Sequence, residues 1–207
     1  MDHENHETSE NHETANANLY QAIPYLAGDI TSDRVGNFHS LSDDIVNTLL
    51  IDRAGTLWVG TNAGLNRFDP ERARFTHFFD NMPIHDIVED AAGMLWVGTV
   101  AGLAQFDPVN RRTTWYRHDA DTPGSLSRDD VWQVLIDTSG TLWVGTIDGG
   151  LNHLDAETGH FIAHRYDPER ANSMSNNAIT ALYQDREGLL WGDADQFSSV
   201  QRASYGG

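Results

Sequence analysis

Asp137-Thr-Ser-Gly-Thr-Leu-Trp143-Val-Gly-Thr146 is one of four versions of a single phrase in this chain. The others are Asp52-Arg-Ala-Gly-Thr-Leu-Trp58-Val-Gly-Thr61, Asp90-Ala-Ala-Gly-Met-Leu-Trp96-Val-Gly-Thr99 and the shorter Asp185-Arg-Glu-Gly-Leu-Leu-Trp191-Gly192. In each, an Asp stands six residues before the Trp and a Gly three before it, and successive Trp residues are 38, 47 and 48 positions apart. A period of this length, filled with short strands, is the mark of β-propeller blades, each a supersecondary unit that buries its faces against its neighbours.

Working outward from the phrase, each unit holds four strand-sized segments. In the first they are Ile45–Asp52, Leu57–Thr61, Gly64–Asp69 and Phe75–Phe79. The Asp-x-x-Gly piece reads as the first hairpin turn, with Asp capping the turn and Gly taking the positive φ. The Gly-Leu pair marks the second turn, which in the third unit is one residue longer (Ile147-Asp148-Gly149-Gly150). Asp69, Asp107 and Asp155 close the third strand of each blade, and repetition assigns them to turn chemistry. Gly60, Gly98 and Gly145 are expected to admit neighbouring backbone closely. The units run approximately 40–79, 80–124, 125–172 and 173–191 within a repeat region of 20–191. The expected fold is all-β, an incomplete propeller of three complete four-stranded blades and part of a fourth. Past Trp191 the phrase gives way to Gly192-Asp-Ala-Asp-Gln-Phe, so 192–207 reads as an atypical tail and the chain as a truncated or frame-shifted piece of a longer protein. Open blade edges then predict self-association.

Composition narrows the function classes. The formal charge is −18, from 31 acidic against 13 basic residues. Such a surface repels phosphate backbones and anionic lipid heads, which argues against nucleic-acid and membrane-surface roles. There is no Cys, which removes disulfides, thiolate metal sites and thiol nucleophiles. Residues 1–19 are polar and acidic with no apolar core, so they read as a disordered tail and carry no signal-peptide pattern. The tail histidines His3, His6 and His12 read as solvated.

The units of the form Leu-Ser-x-x-x-Val…Leu-Leu-x-Asp-x-x-Gly-x-Leu-Trp-Val-Gly-Thr-x-x-Gly-Leu-x-x-Phe-Asp resemble the two-component regulator propeller repeat, over roughly residues 38–191. Two spacers, Tyr116–Ser127 and Tyr166–Ser175, are similar to that family's inter-blade connections. The resemblance implies a ligand-sensing segment of a bacterial two-component sensor, outside the inner membrane and so periplasmic, with a small molecule or carbohydrate as ligand and a histidine kinase or other output domain further along the parent protein. It implies a non-catalytic segment without a cofactor. Propellers with a Gly-His…Trp-Asp signature fit less well.

Candidate site residues follow from what does not repeat. Trp58, Trp96, Trp143 and Trp191, with Asp52, Asp90, Asp137 and Asp185, recur in every unit and are assigned to structure. Trp115, Tyr116 and Trp132 do not recur, and Asn62, Asp119, Asp121 and Asp148 fall in loops that differ between blades. Of these, Asn62, Trp115, Tyr116, Asp119 and Asp148 are the ligand-binding candidates, because propeller ligands meet loops at one end of the blades. His160 and His164 carry a spacing known from zinc sites, but no third ligand accompanies them, so they read as edge-strand histidines and no metal is expected. Two other readings stand beside the sensor: a protein-binding scaffold, and a lyase or glycan-active enzyme drawing on His39, His85 and Arg128.

Overall fold

A computed structural model describes residues 40–171 and 173–193. The tail 1–19, residues 20–39 with His39, and residues 194–207 lie outside the described residues. The strands are β1 (Val46–Ile51), β2 (Leu57–Thr61), β3 (Gly64–Asp69), β4 (Arg74–Phe78), β5 (Ile84–Glu89), β6 (Leu95–Thr99), β7 (Gly102–Asp107), β8 (Arg112–Tyr116), β9 (Val131–Ile136), β10 (Leu142–Thr146), β11 (Gly150–Leu154), β12 (Phe161–His164), β13 (Ala181–Gln184) and β14 (Leu190–Asp193). They form four antiparallel sheets in chain order: β1-β2-β3-β4, β5-β6-β7-β8, β9-β10-β11-β12 and the two-stranded β13-β14. These are the three full blades and the partial fourth that the repeat predicts. The last strand runs to Asp193, two residues beyond the Trp at which the sequence pattern breaks.

The chain divides into two compact units, one ending at Ile84 and the other beginning at His85. In both, every residue of Leu-Trp-Val-Gly-Thr in β2, β6 and β10 is buried. A strand covered on both faces reads as a continuous apolar run rather than an alternating one. In the first unit Leu57, Val59, Phe68 and Phe75 form the core, with Leu41 and Ile51 against it. The second unit has two clusters, one around Trp96, Leu126, Val131 and Phe161, the other around Trp143, Leu151 and Ile179.

The glycine of the Val-Gly-Thr stretch lets a β-branched side chain approach within the first unit, and lets consecutive sheets meet within the second. A Cβ at Gly60 would stand 2.7 Å from Cγ2 of Ile84, and one at Gly145 would stand 2.7 Å from Cγ2 of Ile179. At Gly98 it would stand 3.0 Å from Cγ1 of Val131. Each is the β-branched residue at or just before the first strand of the following sheet. Only a residue without a side chain leaves room for it.

The uneven repeat length has a structural cause. The third blade is preceded by a long connector, residues 117–130, and this connector and the described segment 40–45 before the first blade are each tied down by a buried Asn of the third strand. The Ser42 backbone N–H donates to Asn66 Oδ1 at 2.9 Å, and the Ser127 N–H donates to Asn152 Oδ1 at 3.1 Å. The second blade is reached by a short link, residues 79–83, which contains no such Ser. Ala104, fully buried, occupies the matching register there, opposite Val97 as Asn66 is opposite Val59.

Candidate ligand-binding surface

The recurring Asp and Trp are bonded to one another. Trp Nε1 donates to the Asp Oδ2 in all four repeats: Trp58 to Asp52 at 2.8 Å, Trp96 to Asp90 at 2.9 Å, Trp143 to Asp137 at 2.8 Å and Trp191 to Asp185 at 2.7 Å. The other carboxylate oxygen accepts the backbone N–H four residues on, from Thr56, Met94, Thr141 and Leu189. One side chain thus closes the turn and fixes the indole, and the turn glycines Gly55, Gly93, Gly140 and Gly188 all take positive φ. Burial pushes the Asp137 carboxyl upward, but hydrogen bonds from Ser139, Trp143 and two backbone N–H groups outweigh it and hold its pKa below the ordinary value. Asp185 is held low chiefly by Trp191. The first three indoles are at most 5% exposed, whereas Trp191 is 42% exposed.

In the second unit, side chains on the first strand of one blade serve the first strand of the next. Asp86 Oδ2 accepts the Val134 backbone N–H and the Gln133 Nε2–H, each at 3.0 Å. Gln133 Oε1 in turn accepts the Leu182 N–H at 3.2 Å. His85 Nδ1 lies 3.0 Å from the Val131 carbonyl oxygen, which can only accept, so Nδ1 carries the proton. In the first unit Asn47 makes the same contact, donating to the Ile84 carbonyl at 3.0 Å. Sequence reasoning missed this ladder. Its signal, a polar residue two or three positions into the first strand, is visible only after the blades are superposed.

Of the five ligand candidates, Asn62 belongs to the first unit and Trp115, Tyr116, Asp119 and Asp148 to the second. Asn62 is exposed in the β2–β3 turn of the first unit and accepts a hydrogen bond from Asn47 at 2.9 Å. Tyr116, half-buried at the end of β8, packs between Trp96 (5.5 Å between ring centroids) and Phe161 (5.5 Å), so it serves as core rather than as an open surface. Trp115 points the other way, and the Arg117 guanidinium lies 4.9 Å above its ring. Asp119 opens the connector, where Thr122 and the Asp121 N–H hydrogen-bond to it and lower its pKa. Asp148 is exposed in the wide β10–β11 turn at φ 63°. Among the set aside aromatics, Trp132 is the more open, 40% exposed, with His85 against it at 4.6 Å. It sits where the β9–β10 register shifts, a bulge that turns the side chain out of the strand's alternation.

The residues considered for catalysis or metal binding have other work. His85 is committed to the Val131 carbonyl, and Arg128 Nη1 donates to the Ser127 carbonyl at 3.2 Å. His164 does not partner His160. Its Nε2 lies 3.0 Å from His153 Nδ1 on the adjacent strand. No group of three metal-ligating side chains exists among the described residues, and no helix among them is long and apolar enough to cross a membrane.

Comparison with known proteins agrees with this geometry. The family model described as two component regulator propeller matches residues 40–63, 79–101 and 173–191. No curated protein matches the chain. Among solved structures, the extracellular domain of a protein described as a hybrid two component system from B. thetaiotaomicron superposes with a TM-score of 0.65 at 24% identity, over 77% of this chain and 23% of that one. A second such domain, described as part of a one component system of the same organism, gives 0.65 at 22% identity, over 81% and 22%. Virginiamycin B lyase from Staphylococcus aureus gives 0.55 at 15% identity, over 75% and 51%. The chain therefore spans under a quarter of the length of the B. thetaiotaomicron domains, and at these identities the likeness is one of fold. Three segments of the chain thus match the two component regulator propeller repeat, and the Asp–Trp bond recurs in all four copies of the phrase.

Proposed function

We propose that this chain is a ligand-sensing portion of the extracytoplasmic region of a bacterial signal-transduction sensor, with no catalysis of its own. The observation that carries the reading is the repeat itself, matched by the family model in three segments and folded as blades like those of the sensor domains above. The polar side chains of the first strands favour it too, since Asp86, Gln133 and His85 are engaged in joining blades. The ligand is a small molecule or carbohydrate, received on connectors and turns such as those of Asp119 and Asp148. The partner is a signalling domain of the parent protein, and the net charge of −18 argues against nucleic acid and anionic membranes as ligands.

The test is to read the coding sequence on both sides of this segment. The proposal expects further Leu-Trp-Val-Gly blades, then a membrane-spanning helix and a histidine kinase or other output domain. A gene with none of these would remove the output and leave the scaffold reading. That alternative has one observation in its favour: Ile45, Val46 and Leu49 in the first unit, and Tyr183 and Trp191 in the second, are 40–62% exposed and offer apolar surface to a protein partner.

A further inference from the structure

Three blades place an aromatic ring of the fourth strand on the repeated Trp, and the third uses an imidazole, which ionises near neutral pH. Phe78 lies 5.8 Å from Trp58 and Tyr116 lies 5.5 Å from Trp96, between ring centroids. In the third blade the same place is held by His164, 5.9 Å from Trp143. The residue paired across from the Trp also changes, from Arg67 and Gln105 to His153. His153 is 7% exposed, lies 5.1 Å from Trp143 between ring centroids, and meets His164 at 3.0 Å between ring nitrogens. Two imidazoles and one indole lie in mutual contact across β10, β11 and β12, and the Asp137 carboxylate accepts the indole N–H.

We infer that the His153–His164 pair is a proton-operated latch on β12: one hydrogen bond joins the rings when they are neutral, and double protonation breaks it and frees the outer strand of the third blade. The bond requires one ring to donate and the other to accept. A first proton shared by the pair leaves that bond in place. A second leaves two donors facing each other and two positive charges in contact, so the rings must separate. The surroundings resist charge. Burial lowers the pKa of both rings, His153 lowers that of His164, and the Asp155 carboxylate only partly offsets burial at His153. Ile179, Leu182, Leu190 and Met174, which β13, β14 and their connector bring to the Trp143 cluster, offer no countercharge. β12 is a four-residue edge strand paired only with β11; Phe161 anchors its first residue in the core and donates its N–H to the Gly124 carbonyl, so the latch governs the Ile162–His164 end. The inference rests on the local geometry of the third blade and not on the sensor reading.

The test is a titration of the full chain from pH 8 to pH 4.5, following the histidine ring signals by NMR and the exchange of the β12 amides. The latch predicts that the two rings titrate as a coupled pair below pH 6.5, and that β12 exchanges at least tenfold faster at pH 5 than the change in intrinsic rate accounts for. His164→Phe, which installs the ring used in the first blade, should keep β12 protected at both pH values. His153→Gln, the residue of the second blade, is a second variant with the same expectation. Independent titration near the ordinary histidine value, β12 protection that does not change with pH, or an undiminished pH response in the folded variant would each overturn it.

Discussion

The indole nitrogen of Trp143 donates to Asp137 Oδ2 at 2.8 Å, and the other oxygen of that carboxylate accepts the Thr141 backbone N–H at 2.9 Å. This pair joins a turn to a buried strand, and it recurs in every repeat. Asp137→Ala strands a buried indole N–H and opens the turn, and is expected to cost about 2–3 kcal/mol. Asp137→Asn keeps an oxygen and should cost roughly half as much. Urea unfolding followed by Trp fluorescence measures both. The same changes at Asp185 should cost less, because Trp191 is exposed to water.

The phrase glycines should tolerate nothing larger. Gly145→Ala drives a methyl group against Ile179, and overpacking of this kind costs about 1–3 kcal/mol. Gly140 differs, since a Cβ there meets nothing within 4 Å but φ is +87°. Gly140→Ala should cost roughly 1 kcal/mol through backbone strain alone. Thermal unfolding of the two variants separates close approach from conformation.

Stability should fall with pH in two windows. His153 and His164 have lowered pKa values, so the unfolded chain binds more protons than the folded one below the ordinary value of 6.5, and stability declines as pH drops through it. Asp137 and Asp185 are also lowered, so their contribution is complete above the ordinary value of 3.8 and is lost as pH falls below it. Unfolding free energies measured from pH 8 to pH 3 would show both declines. His164→Phe should flatten the upper one only.

Tyr116 and Trp132 should separate packing from exposure. Tyr116→Ala empties the space between Trp96 and Phe161 and should destabilise by about 2–4 kcal/mol. Trp132→Ala removes a ring that is 40% exposed, and should cost about 1 kcal/mol or less. Chemical unfolding of both variants decides it. Equal losses would mean that the indole of Trp132 is as much a part of the core as Tyr116.

The blades were legible in the sequence because their two hairpin turns and the doubly buried Leu-Trp-Val-Gly-Thr strand are local features. Repetition also separated Trp58, Trp96 and Trp143 from ligand candidates. Contacts between strands distant in sequence were not legible. Asp86 and Val134 are 48 residues apart, and nothing local to either announces the bond. Asn66 and Asn152 both follow the Gly-Leu pair, but their bonds to Ser42 and Ser127 reach 24 and 25 residues back along the chain. His164 was read against His160 because both lie on one short segment, but its partner sits across the sheet at His153. Tyr116 stood out because it does not repeat, although the place it fills does.

The most direct test of the sensor account is a thermal-shift and product-analysis screen of the complete sensor region, isolated with this segment in place, against soluble oligosaccharides and other small molecules. The account predicts that at least one compound raises the melting temperature in proportion to its concentration and is recovered chemically unchanged. Conversion of that compound to product would make the protein an enzyme, and stabilisation by a protein partner alone, with no response to any small molecule, would make it a scaffold.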